Sequence, residues 1–193
     1  MVAELTRDEI LLDMLMRTSG KAEIVRGRII HEMATGDEPG YAGDEIAFSL
    51  RLYVQQVRRG QAVGDNKGFR CELPHRKSFS PDAAFYTGPR GGMKFFPEAP
   101  VFAVEVRSEG DYGPLMEEEM AFKRTDYFAA GTLVVWDVDL LSTDVVRCYT
   151  AANPTVPTAF KRGETANAEP AVPGWTMEVD QLFLPDVEET DGS

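Results

Sequence analysis

The sequence predicts an α/β fold: a mixed central β-sheet flanked by helices, in a single domain. Three observations carry that expectation. Five β-type apolar runs fall at 67–74, 81–87, 100–108, 132–139 and 144–150. A helical stretch, PLMEEEMAFKRTDYFAAG, separates the third run from the fourth, the strand–helix–strand order of a partly parallel sheet. The chain's 193 residues, 43% hydrophobic and 27% charged, suffice for one sizeable core, and no repeat or linker divides them.

Each element has its own signal. Thr6-Arg-Asp-Glu9 is a capping box, and Ile10, Leu11, Met14 and Leu15 recur at helical spacing, so residues 7–17 form a short amphipathic helix ended by Ser19-Gly20. AEIVRGRIIHEM (22–33) reads as a hairpin or a long strand turning at Gly27. The Gly/Asp/Pro-rich ATGDEPGYAGD reads as a loop before a second helix, whose apolar face is Ile46, Leu50, Tyr53, Val54 and Val57. Gly60 and Gly64 punctuate the change to strands. The helix between the third and fourth runs stops at Gly131. LVVWDVD (133–139) is apolar enough for an internal strand. Beyond residue 151, repeated Pro and Gly leave a short strand or two and MEVDQLF as a last short helix. Order is expected over about residues 5–185, with 186–193 an acidic, frayed tail.

Composition narrows the functional classes. No window approaches the roughly 18 apolar residues of a membrane span, and the acid-rich N-terminus lacks the basic region of a signal peptide. Cys71 and Cys148 have no metal-ligand spacing, so a reducing cytoplasm is the simplest setting. The net charge of −12 argues against casual nucleic-acid binding. Its distribution is uneven, however. Residues 163–193 carry Glu164, Glu169, Glu178, Asp180, Asp186, Glu188, Glu189 and Asp191 and no Lys or Arg. Arg51, Arg58, Arg59, Lys67, Arg70, Arg76 and Lys77 instead crowd residues 51–77, as a solvated face or a DNA contact.

Two strands carry carboxylates where core residues belong. In SPDAAFYTG, Asp82 opens a strand after Pro81; in VFAVEVRS, Glu105 and Arg107 point to one face while Val104 and Val106 point into the core. If the strands are neighbours, Asp82 and Glu105 approach closely enough to share one Mg²⁺, which takes oxygen ligands and is commonly held by one or two carboxylates. The bland alternative is an ordinary Glu105–Arg107 pair, worth little if exposed.

The surrounding motifs are more specific. Pro81-Asp82, then Pro100 through Glu105-Val106-Arg107-Ser108, then Lys123, Tyr127 and Gly131 on a helix before the Trp136 strand, occur in order. This pattern, from about residue 5 to 185, resembles the bacterial "putative restriction endonuclease" family of the PD-(D/E)XK nuclease superfamily. The resemblance implies a restriction-endonuclease-like core, hydrolysis of DNA phosphodiester bonds with Mg²⁺ or Mn²⁺, and a homodimer. It makes Asp82 and Glu105 metal ligands and Glu23 the acid before the N-terminal Gly turn, as a third site acid or an exposed strand-start residue.

Two departures stand out. Where the superfamily has a lysine two residues after the Glu, this chain has Arg107, which stabilises charge but cannot serve as a base near neutral pH. Lys123, sharing a helix face with Tyr127 at i,i+4, either replaces that lysine or pairs at the surface with Glu117–Glu119 or Asp126. Gly43 stands where the family often has a His. The rival to an enzyme is a catalytically weak or inactive module that keeps the nuclease fold and binds nucleic acid or protein.

Overall fold

The computed structural model describes residues 5–185; the tail expected at 186–193 lies outside the described residues. Helix α1 (Arg7–Met16) begins at the Thr6 capping box, with both reciprocal bonds present. Strands β1 (Ala22–Val25) and β2 (Arg28–His31) form the expected hairpin, closed by Arg26 (φ 51°) and Gly27 (φ 70°), both left-handed as two-residue hairpin turns require. Helix α2 (Asp37–Val57) is longer than the sequence suggested, because most of the supposed loop is its first turns. Pro39 lies in the first turn, where an amide is unpaired anyway, and Asp37 and Glu38 favour the positive end of the helix dipole.

The remaining strands are β3 (Gln61–Gly64), β4 (Phe69–Arg70), β5 (Ser78–Phe79), β6 (Ala83–Tyr86), β7 (Phe102–Val106), β8 (Val134–Val138), β9 (Val146–Thr150), β10 (Asn153–Phe160), β11 (Thr165–Asn167) and β12 (Thr176–Glu178). Helix α3 (Pro114–Ala129) joins β7 to β8. Six strands make the central sheet in the order β10-β9-β8-β7-β6-β3. Only β7 and β8 are parallel, across the α3 connection.

Several expectations shift. The run 67–74 gives only the two-residue β4, paired with β5. The supposed punctuation at Gly60–Gly64 encloses an edge strand, β3. Pro154 and Pro157 lie within the eight-residue β10, which is tolerated because β10 is the other edge. MEVDQLF splits into the end of β12 and a 3-10 turn, Val179–Leu182.

The sheet separates two cores. Phe102, Val104 and Val106 of β7 pack with Ile46 and Leu50 of α2, Trp136 and Trp175. On the opposite face Ala84, Ala103 and Val135 pack with Phe69, Phe79 and Tyr127 of α3. Small Ala84 and Ala103 leave room there for the stacked rings of Phe79 and Tyr127, 4.1 Å apart. Strand alternation puts Asp82, Glu105 and Asp137 on this α3 face. No helix among the described residues is long and apolar enough to cross a membrane.

Candidate active site

Ala83 pairs with Val104, so one residue further along the antiparallel register Asp82 comes opposite Glu105. Asp82 is anchored twice: its amide donates to the Val104 carbonyl at 3.0 Å, and its Oδ2 accepts from the Val106 amide at 2.7 Å. Helix α2 passes close by, with a Cβ at Gly43 falling 3.5 Å from Asp82 Cβ. The position where the resembling family often carries His therefore lies against this acid.

Helix α3 supplies the groups facing Glu105. Lys123 Nζ donates to Glu105 Oε2 at 2.9 Å and Tyr127 Oη to Oε1 at 2.6 Å, as their i,i+4 spacing requires. Lys123 is also 3.0 Å from Glu23 Oε1 and 3.6 Å from Glu32 Oε1. It is thus turned into the cluster rather than toward Glu117–Glu119 or Asp126. Burial opposes its charge, but Glu105, Glu23 and Glu32 outweigh burial and hold the proton well above the usual lysine range.

The N-terminal hairpin delivers Glu23. Strand β1 lies along residues 75–78, through bonds such as Lys77 N–H to the Ile24 carbonyl at 2.9 Å and Ile24 N–H to Ser78 Oγ at 2.8 Å. Buried Glu23 then accepts from the Ser80 amide at 2.8 Å and from Arg76, which also donates to Asp126 at 2.7 Å. Burial raises the Glu23 pKa, but Lys123, Arg76 and the Ser80 amide outweigh it and hold the carboxyl below its usual range. Of the basic residues at 51–77, Arg76 is therefore an internal strut and not part of an exposed patch.

Glu105 differs from Glu23. Burial pushes its pKa up; Lys123 opposes this, Asp82 adds to it, and the result is about 7. Two carboxylates facing each other on adjacent strands, one of them reluctant to ionise without a further cation, suit a hard divalent metal. Mg²⁺ or Mn²⁺ fits this oxygen donor set, since Mg²⁺ commonly uses one or two carboxylates and keeps its other positions for water. Among the described residues no three His, Cys, Asp or Glu side chains form a closed metal cage. A cavity of about 470 Å³ near Tyr41, Arg162 and Phe183 holds none of these groups.

Arg107, also expected at the site, has its bonds elsewhere. It shares the α3 face with Glu105, but its Nε and Nη2 grip Asp137 at 2.8 and 2.9 Å and its Nη2 reaches Glu117 at 2.9 Å. Asp137 is the β8 partner of Glu105 and presents the nearer matching fork.

Three nearby groups carried no motif signal. Lys21 Nζ lies 2.5 Å from Asp82 Oδ1, 2.9 Å from Asp65 Oδ1 and 3.3 Å from Glu32 Oε2. The available signal was the hairpin itself. Lys21 and Glu23 alternate onto one face, and the β1–β2 register carries Lys21 opposite Glu32. Asp65, in the loop after β3, had no such signal.

A family model described as "Uma2: Putative restriction endonuclease" matches residues 8–180. The chain belongs to the Uma2 family. It is also similar in fold to the crystal structure of a "putative nuclease belonging to DUF820" from Anabaena variabilis, with a TM-score of 0.68 and 17% identity, covering 93% of this chain and 98% of that one. No curated protein matches the chain. The Uma2 match spans Glu23, Glu32, Asp65, Asp82 and Glu105 together with Lys21 and Lys123.

Proposed function

We propose that this Uma2 protein is a divalent-metal-dependent endonuclease that hydrolyses DNA phosphodiester bonds, with Asp82 and Glu105 as the metal ligands. The observation that carries this reading is the pair of opposed carboxylates with the Lys123 ammonium fixed on Glu105 at 2.9 Å. Mg²⁺ or Mn²⁺ held by these acids supplies Lewis-acid polarisation of the phosphate and a water activated near neutral pH. The chain's own groups do the rest. Lys123 keeps its proton and stabilises the negative charge that develops on the phosphate oxygens. Tyr127 holds the Glu105 rotamer, and Glu23 positions Lys123 while being fixed by Ser80 and Arg76. Lys123 thus takes the part that the sequence pattern offers to Arg107.

A second reading is a binding module that no longer cleaves. The contact between Lys21 and Asp82 favours it, because the metal-ligand carboxylate already has a cation. Cleavage of supercoiled plasmid and of labelled single- and double-stranded oligonucleotides, with Mg²⁺, Mn²⁺ or EDTA, separates the two. The expected result is metal-dependent cutting that Asp82→Ala and Glu105→Ala each lower by about a hundredfold or more. Linear plasmid would show two copies acting together, and nicks alone would show single-copy action. No cutting by the wild type on any substrate leaves the binding module.

A further inference from the structure

We propose that Lys21 is a built-in competitor for the divalent cation: its ammonium occupies Asp82, and metal binds there only by displacing it. This rests on the metal-site reading above and adds how that site is held without metal. Three carboxylates from three separate segments converge on this one ammonium: Asp82 before β6, Asp65 after β3 and Glu32 after β2, at 2.5, 2.9 and 3.3 Å. Asp82 Oδ2 is committed to the Val106 amide. Oδ1, which has no backbone donor among the described residues, is the oxygen more open to a metal, and it is the one Lys21 holds.

The chemistry suits exchange. An ammonium is a point charge on a flexible stem, without the locking fork of a guanidinium. Its other two partners lie at the solvent rim, with Glu32 and Asp65 side chains 31% and 39% exposed against 10% for Asp82. Lys21 can retreat to those two acids while surrendering only Asp82. Two cations on one carboxylate oxygen would repel each other, so retreat and metal entry are one event. The cluster also retains the charge to accept a dication. Among the described residues, Glu23, Glu32, Asp65, Asp82 and Glu105 pair with two lysines, Lys21 and Lys123, and Arg76 is divided between Glu23 and Asp126.

Isothermal titration of Mn²⁺ into the full chain tests this, with wild type, Lys21→Met, Lys21→Arg, and Lys21→Met carrying Asp82→Asn. An adjacent charge shifts a carboxylate's cation affinity by one to three decades, so Lys21→Met should bind Mn²⁺ about tenfold or more tightly than wild type. Lys21→Arg, which keeps the charge and adds a fork, should bind Mn²⁺ no more tightly than wild type, and Asp82→Asn should erase the gain. Melting curves give a second readout: Mn²⁺ should raise the melting temperature of Lys21→Met more than that of wild type. If Lys21→Met does not fold, Lys21→Gln carries the same test. Wild-type binding that needs Asp82, with no gain on removing Lys21, overturns the competition and leaves the metal site standing. No Mn²⁺ binding in any variant overturns both.

Discussion

Two ionic clusters share the α3 face of the sheet, and they are built in opposite ways. Around Asp82 and Glu105, five carboxylates meet two lysines, and each lysine reaches several acids through one nitrogen. Around Asp137, three carboxylates meet three arginines: Arg107 with Asp137 and Glu117, Arg147 with Asp139, and Arg124 near Asp137 and 3.8 Å over the Tyr149 ring. Tyr112 closes the second cluster with a 3.0 Å bond to Asp139. One cluster is acid-rich and held by exchangeable point charges; the other is balanced and locked by forks. The contrast teaches which one is free to take a foreign cation. A charge-balanced network gains little from a metal even with Arg147 Nε left without a hydrogen-bond partner among the described residues, whereas an acid excess does gain.

The largest effect expected follows from that division. Asp137→Ala takes from Arg107, whose side chain is 1% exposed, its buried carboxylate and leaves it only the half-exposed Glu117, and it removes a partner of Arg124 and Arg147. Breaking a buried pair from one side costs about 3–5 kcal/mol, to be read from urea denaturation. Asp82→Asn should cost about 1 kcal/mol at most, because its amide oxygen can still accept from Val106 and Lys21 keeps two acids. Equal losses at the two positions would mean that both clusters are struts, and the contrast would fail.

A pH series sharpens the acid-rich side. The Glu105 carboxyl, raised to about 7 from an ordinary 4.5, holds its proton more tightly folded than unfolded. Its contribution to stability is therefore fully present below about pH 4.5 and is lost as pH rises through 7. In EDTA, wild type should lose stability relative to Glu105→Gln between pH 5 and 8, by about 2 kcal/mol after allowing for screening of a side chain that is 18% exposed. Parallel profiles for the two proteins would show that Glu105 ionises as freely folded as unfolded.

The two clusters were unequally legible in the sequence. Asp82 and Glu105 stood out because carboxylates interrupt apolar strands, and alternation assigned Val104 and Val106 to the core. The central strands and α3 followed from periodicity, and the parallel β7–β8 pair from the helix between them. Asp65 was hidden because it lies in a loop, where no period marks a side chain's direction; Lys21 and Glu32 flank the hairpin, and only its folded register brings them opposite each other. Strand β10 was hidden because its prolines read as breakers, and only its place at the sheet edge excuses them. The start of α2 was hidden for a related reason, since Pro39 and three glycines imitate a loop, although Gly36 is the cap and Pro39 lies in the first turn, which tolerates it.

Arg107→Lys gives a smaller effect than Asp137→Ala and tests the comparison most directly, because it restores the lysine of the sequence pattern. If position 107 served the Asp82–Glu105 site, that change would raise activity. The geometry argues otherwise. Arg107 binds Asp137 through two parallel bonds and Glu117 besides, and a lysine has one nitrogen to offer in place of that fork. Losing one or two charge-assisted bonds there should cost about 1–2 kcal/mol of stability. Cleavage per folded molecule should not change, since Lys123 already stands on Glu105. Lys123→Met should do the reverse, removing cleavage. An Arg107→Lys protein that cuts faster than wild type would return position 107 to the site and make Lys123 its support.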